Sequence, residues 1–210
     1  KLLLRFCYNF LLSVKKDLFR CFIFNRSFDM KFRNKIMTFT AAAVLLGCTA
    51  IAAAPFGDDD SVGYAKDLWA LLVKHNLAGK DAVMTRPYTG MPPHGMILEL
   101  LEQKVTLRGV TGDLVVKRNY GGDGLMIGDV INNPDQYLQA ITVMFRREAG
   151  YDSDNRDWFY AKYAPDGSLM NNHRGMALAG RVAKGMPTGC IACHQGAEGG
   201  DFIFNHDRYK

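Results

Sequence analysis

The sequence predicts an α+β domain, mainly an antiparallel β-sheet with flanking helices. Three observations lead there. A helical apolar period runs through roughly 61–78, early in the region that reads as a folded domain. From 96 to 163 the pattern shortens into β-branched and aromatic segments parted by glycine-rich turns. Those segments follow one another too closely for parallel crossovers, so hairpins are expected.

Taken in order, Asp58 to Ser61 forms an acidic N-cap region, and Tyr64, Ala65, Leu68, Trp69, Leu71 and Leu72 recur at helical spacing. Gly79 is the expected stop. Arg86 to Pro93, broken by Pro87, Gly90, Pro92 and Pro93, reads as loop. Strands are expected at Met96–Leu101, Lys104–Arg108 and Leu114–Tyr120, with Gly109 and Gly112 as separators and Gly121-Gly122-Asp123-Gly124 as a turn. Two more follow at Ile141–Arg146 and Trp158–Tyr163, with a polar loop over Asp152–Asp157 between them and a turn at Pro165-Asp166-Gly167. Met176–Lys184 reads as a second helix, leading into a C-terminal Cys-x-x-Cys-His run.

The chain has 210 residues, enough for one domain with a real core. Its formal net charge of +5 is unevenly spread. Residues 1–52 hold nine of the 26 Lys/Arg and two of the 21 Asp/Glu, which leaves 17 basic against 19 acidic residues in 53–210. The basic balance therefore belongs to the front end, and a nucleic-acid partner loses its support. From Met30 the order is a positive segment (Lys31, Arg33, Lys35), an apolar run to Leu46, then small residues up to Ala54 with an A-x-A site at Ala50-Ile51-Ala52. That is the order of a secretory signal, so 30–52 is expected to be a signal peptide, 53–210 the working domain, and the location periplasmic. Leu45-Leu46-Gly47-Cys48 also resembles a lipoprotein cleavage box, so a soluble product and one lipidated at Cys48 both stay open. Residues 1–29 precede this complete signal and are expected to lie upstream of the true start, without a fold.

With Cys7, Cys21 and Cys48 in the front end, the domain keeps Cys190 and Cys193, followed at once by His194. Cys190-Ile191-Ala192-Cys193-His194 is the attachment run of a c-type haem. Two thiols spaced this way add across the two vinyl groups of one haem, and the histidine beneath the iron supplies its imidazole nitrogen. A structural zinc site needs four ligands, and neither further cysteines nor histidines at zinc spacing accompany the pair. A thioredoxin-like pair lacks its βαβ setting here. One covalent haem c is expected. The sixth iron position stays open at this point: Met126, Met144, Met170, Met176, Met186, His94 and His173 are all present, and none stands out.

Several segments together resemble the cytochrome P-460 family: His94-Gly95, Leu114–Lys117 (LVVK), Ile141–Gly150 (ITVMFRREAG), Trp158–Gly167 (WFYAKYAPDG) and the closing GCIACHQGAEGGDFIF. The resemblance covers about 94–206 and implies a mostly antiparallel sheet, commonly a homodimer, with a five-coordinate haem c open on its distal side. It implies an oxidoreductase acting on hydroxylamine or nitric oxide and passing electrons to another cytochrome. A related branch, similar to cytochrome c′-beta, binds nitric oxide without turnover, and a simple electron carrier is the third reading. Carried over by position, Cys190 and Cys193 match the thioether sites and His194 the axial ligand. Lys117 matches the strand lysine that cross-links to the haem edge in active members; an ordinary solvent-facing lysine is the alternative. A strand lysine pressed against haem is desolvated, which favours its neutral, nucleophilic amine. Arg146, Arg147 and Glu148 are candidates for distal polar groups, a carboxylate there being able to take protons from hydroxylamine; a solvated charge cluster is the other reading.

Overall fold

A computed structural model describes residues 56–204 of the chain. The segment 1–29, the expected signal peptide at 30–52 with Cys48, and residues 205–210 lie outside the described residues.

Helix α1 spans Asp59–Lys74. Asp58 caps it, its side chain accepting from the Ser61 amide at 2.7 Å, and Asp59, Asp60 and Lys74 complement the helix dipole at the two ends. The helix ends about a turn before Gly79, because Asn76 takes the left-handed conformation at φ 55° and the Leu77 amide turns back to the Leu72 carbonyl.

The sheet has six strands in sequence order, all antiparallel: β1 Tyr88–Thr89, β2 Ile97–Leu107, β3 Val110–Tyr120, β4 Leu138–Arg146, β5 Trp158–Tyr163 and β6 Ala179–Gly180. The two expected segments at 96–101 and 104–108 are one strand. Glu102 and Lys104 face solvent, so the join reads as loop in sequence although its pairing with β3 is unbroken. Arg108 and Gly109, both at positive φ, form the two-residue turn that matches strand twist. Gly112 is not a separator but part of β3, where a Cβ would stand 1.9 Å from the Arg146 carbonyl oxygen.

Two short helices, α2 Ile127–Asn132 and α3 Pro134–Tyr137, fill the β3–β4 connection and are too short to leave a period in sequence. The helix expected at Met176–Lys184 does not form. This stretch holds β6, paired to β5, and Gly180 and Ala183 adopt positive φ. The sheet edge recruits the segment, overriding its local helical pattern.

Strand alternation sorts the core onto two faces. Leu114, Val116, Ile141, Val143, Phe145, Phe159, Ala161 and Tyr163 pack with Tyr64, Leu68 and Leu72 of α1. Tyr163 Oη donates to the Ala65 carbonyl at 2.7 Å and fixes the helix to β5. Leu100, Val115, Met144, Trp158 and Tyr160 point the other way and meet Val182, Ala183 and Ile191 of the C-terminal segment.

Candidate functional site

The second face carries the site. Register aligns Leu100, Lys117, Thr142 and Lys162 in one row across β2 to β5, with Val115, Met144 and Tyr160 in the next row. Over these rows lies helix α4, Cys190–His194. Gly189 before it has φ 121°, and a Cβ there would be 2.3 Å from that of Ala183, so only glycine lets the turn pass this close. Ile191, 2% exposed, anchors the turn in the apolar layer. Cys190, Cys193 and His194 then fall on neighbouring positions of one helical turn. Both thiols are free; Cys193 is exposed, and burial pushes the half-buried Cys190 thiol up to about 11.

His194 is buried, and its Nδ1 lies 2.6 Å from the Phe202 carbonyl oxygen. A carbonyl only accepts, so Nδ1 carries the proton and Nε2 keeps its lone pair. Burial also pulls the imidazole pKa down, which favours the neutral ring that binds metals, although the bond to Phe202 works the other way. The chain that supplies this carbonyl is held to the sheet by a latch. Trp158 Nε1 donates to the Asp201 carbonyl at 2.9 Å. Arg146 lies 4.1 Å over the Trp158 ring and pairs with Asp201 at 2.5 Å and Asp113 at 3.1 Å. Lys117 Nζ donates to the Phe204 carbonyl at 2.7 Å.

Between α4 and the sheet is a recess of about 440 Å³, open mouth included, lined by the β3 to β5 members of both rows together with His94, Ile203 and Phe204. His94 reaches in from the loop before β2. Its Nδ1 is 3.3 Å from Thr142 Oγ1, and its ring centre is 6.1 Å from that of His194. Burial, reinforced by Lys117, His194 and Lys162, lowers its pKa to about 4 and keeps it neutral.

These residues fit a haem. The two thiols are free on the turn that carries a histidine with an available Nε2, the walls are mostly apolar, and Lys117 and Lys162 bring positive charge toward acidic substituents. Tyr160 Oη, buried without a hydrogen-bond partner, is a further group that a polar edge could satisfy.

Of the sequence candidates, Lys117, Cys190, Cys193 and His194 come together. Arg147 and Glu148 do not join them. Arg147 stacks on Tyr64 and Tyr151 at 4.1 and 4.4 Å, on the α1 side, and pairs with Glu148 at 2.8 Å. Alternation explains this, since Arg147 continues the parity of Val143 and Phe145. Arg146 has the pocket's parity but serves the latch. Thr142, Tyr160 and Lys162 were not expected in the site; His94 was one of several residues left open for the sixth iron position. Parity would have placed Thr142 and Lys162 beside Lys117 had the register been known; nothing in the sequence singled out His94 from the other histidines and methionines.

A Cys-x-x-Cys-His turn closing an apolar recess on an antiparallel sheet defines the class: a haem-binding cytochrome domain. Residues 112–205 match the family model of cytochrome P460, the family that the sequence resembles. Haem, with its iron, is the cofactor the family implies. No curated protein and no solved structure matches the chain.

Proposed function

We propose that the chain is an exported c-type cytochrome carrying one haem, bound covalently through Cys190 and Cys193 with His194 as axial ligand. In this reading it is an oxidoreductase that takes hydroxylamine or nitric oxide at the sixth position of the iron and passes electrons to another cytochrome. The observation that carries the reading is the orientation of His194, whose Nδ1–H is tied to the Phe202 carbonyl so that Nε2 faces outward from its own backbone. Haem bound there supplies one-electron redox chemistry at its iron. The protein's part is to orient the ligand histidine through the Arg146–Asp201 latch, to exclude water with Val115, Met144, Ile203 and Phe204, and to present Lys117 and Thr142 from the sheet.

Lys117, buried in the pocket row, is the candidate for a bond to the haem edge. The test is holoprotein mass and absorption spectrum after production in a host that assembles c-type cytochromes. A bond beyond the two thioethers, removed by Lys117→Arg together with hydroxylamine oxidation, supports the oxidoreductase. Arginine keeps the charge but has no free amine lone pair. A second reading, a nitric-oxide-binding protein without turnover, is favoured by the wall chemistry, since no carboxylate is among the lining residues. It wins if the wild-type mass contains only thioether-linked haem and nitric oxide binds without hydroxylamine turnover.

A further inference from the structure

We propose that Lys162 is the anion-binding residue of the recess, its ammonium pairing with a carboxylate or a small monoanion that enters with the occupant. The proposal rests on the reading that haem fills this pocket, and goes beyond it by giving the chemistry of the group that Lys162 meets. Two sources carry that chemistry: a propionate side chain of the haem itself, or a free small anion taken up beside it.

Lys162 is placed by the sheet. Ala161 and Tyr163 on either side of it pack into the α1 layer, so its side chain emerges on the pocket face, beside its cross-strand neighbour Thr142, and lines the recess. Its backbone is fully used. The Lys162 amide donates to the Leu178 carbonyl at 3.0 Å, and its carbonyl accepts from the Met170 amide at 2.9 Å. The root of the side chain is therefore fixed, and only the ammonium is left to be matched.

Among the described residues nothing matches it. Lys162 is half-buried and makes no side-chain hydrogen bond or ion pair with them. Every other buried or half-buried lysine or arginine described has a partner. Arg118 pairs with Glu99, Arg146 with Asp113 and Asp201, Arg147 with Glu148, and Lys184 with Asp152. Lys117 donates to the Phe204 carbonyl, and Arg181 lies over the Tyr151 ring. Withdrawing a cation from water without a partner is unfavourable, and an aliphatic residue would avoid that cost. The walls offer no relief, since no carboxylate lines the recess. The charge is felt inside it, where Lys162 acts to lower the pKa of both His94 and the Cys190 thiol. An ammonium is a compact charge with three rotatable donors, and a carboxylate or monoanion would meet it in a charge-assisted hydrogen bond.

The experiment compares purified ferric holoprotein of the wild type, Lys162→Gln and Lys162→Arg. Azide is the anionic probe, imidazole the neutral one, and reduction potential is followed against pH. If a free anion is the partner, Lys162→Gln weakens azide binding about tenfold, leaves imidazole binding unchanged, and Lys162→Arg restores azide. If a propionate is the partner, both probes bind as in wild type. The potential of Lys162→Gln then rises as pH falls through the mildly acidic range, because a propionate without its cation takes up a proton there; wild type and Lys162→Arg stay flat. Azide affinity and a pH profile that both ignore Lys162→Gln overturn the proposal, even if the variant is less stable, and so does equal weakening of azide and imidazole. A chain without haem mass would instead overturn the reading it rests on.

Discussion

The two faces of the sheet are made from the same three strands, one residue out of phase, yet they differ in almost every physical respect. The α1 face presents Val116, Val143, Phe145, Phe159 and Ala161, closed over by a capped, four-turn helix. The α4 face presents Lys117, Thr142, Met144, Tyr160 and Lys162, covered by one helical turn and an irregular tail. The first can be explained by burial alone. The second places lysine, threonine and histidine where a stability-optimised core would carry aliphatic groups, and such local inconsistency is what a functional site leaves behind. Stability and chemistry are thus divided by side-chain parity.

Substitutions at matched depth on the two faces should break this division if it is wrong. The largest effect is expected for Phe159→Ala, which empties the centre of the α1 layer and should cost about 3–5 kcal/mol in urea unfolding of the purified protein. Arg146→Ala should cost about 1–2 kcal/mol, because it removes a stack on Trp158 and two partly exposed ion pairs. Its sharper signature is local: amide exchange should accelerate at Phe202–Phe204 while α1 is unaffected. Equal acceleration in both regions would mean that the latch supports the whole fold and not the histidine's carbonyl partner.

Asp58→Ala removes the N-cap of α1 and should lower stability by about 1 kcal/mol, with the absorption of the bound haem unchanged. The smallest effect belongs to the pocket face. Tyr160→Phe deletes a hydroxyl that has no hydrogen-bond partner among the described residues, so its cost should stay within about 0.5 kcal/mol while the haem environment shifts spectroscopically. A loss as large as that of Phe159→Ala would erase the contrast between the faces.

Much of this was legible in the sequence. The strand positions of Ile141–Arg146 and Trp158–Tyr163 follow from residue type and spacing, which are local signals, and so does the expectation of haem attachment at Cys190, Cys193 and His194. What was not legible depends on register and on remote contacts. Met176–Lys184 has a helix-compatible pattern, but the β5 edge captures it. Arg147 and Glu148 look like pocket residues beside Arg146, but a single step of alternation sends Arg147 to the other face, where Glu148 pairs with it. His94 sits among prolines, and only folding of its loop onto β3 brings it across from His194. Lys117 was identified through family likeness; its burial beneath the Phe204 carbonyl is a tertiary fact.

The most direct test of the central claim, that the α4 face is a haem c site, is the mass of the denatured chain after production with the cytochrome c assembly machinery. The expected mass exceeds that of the mature polypeptide by one haem that survives denaturation, and Cys190→Ala with Cys193→Ala abolishes the increment. A wild-type chain with the mass of polypeptide alone would contradict it.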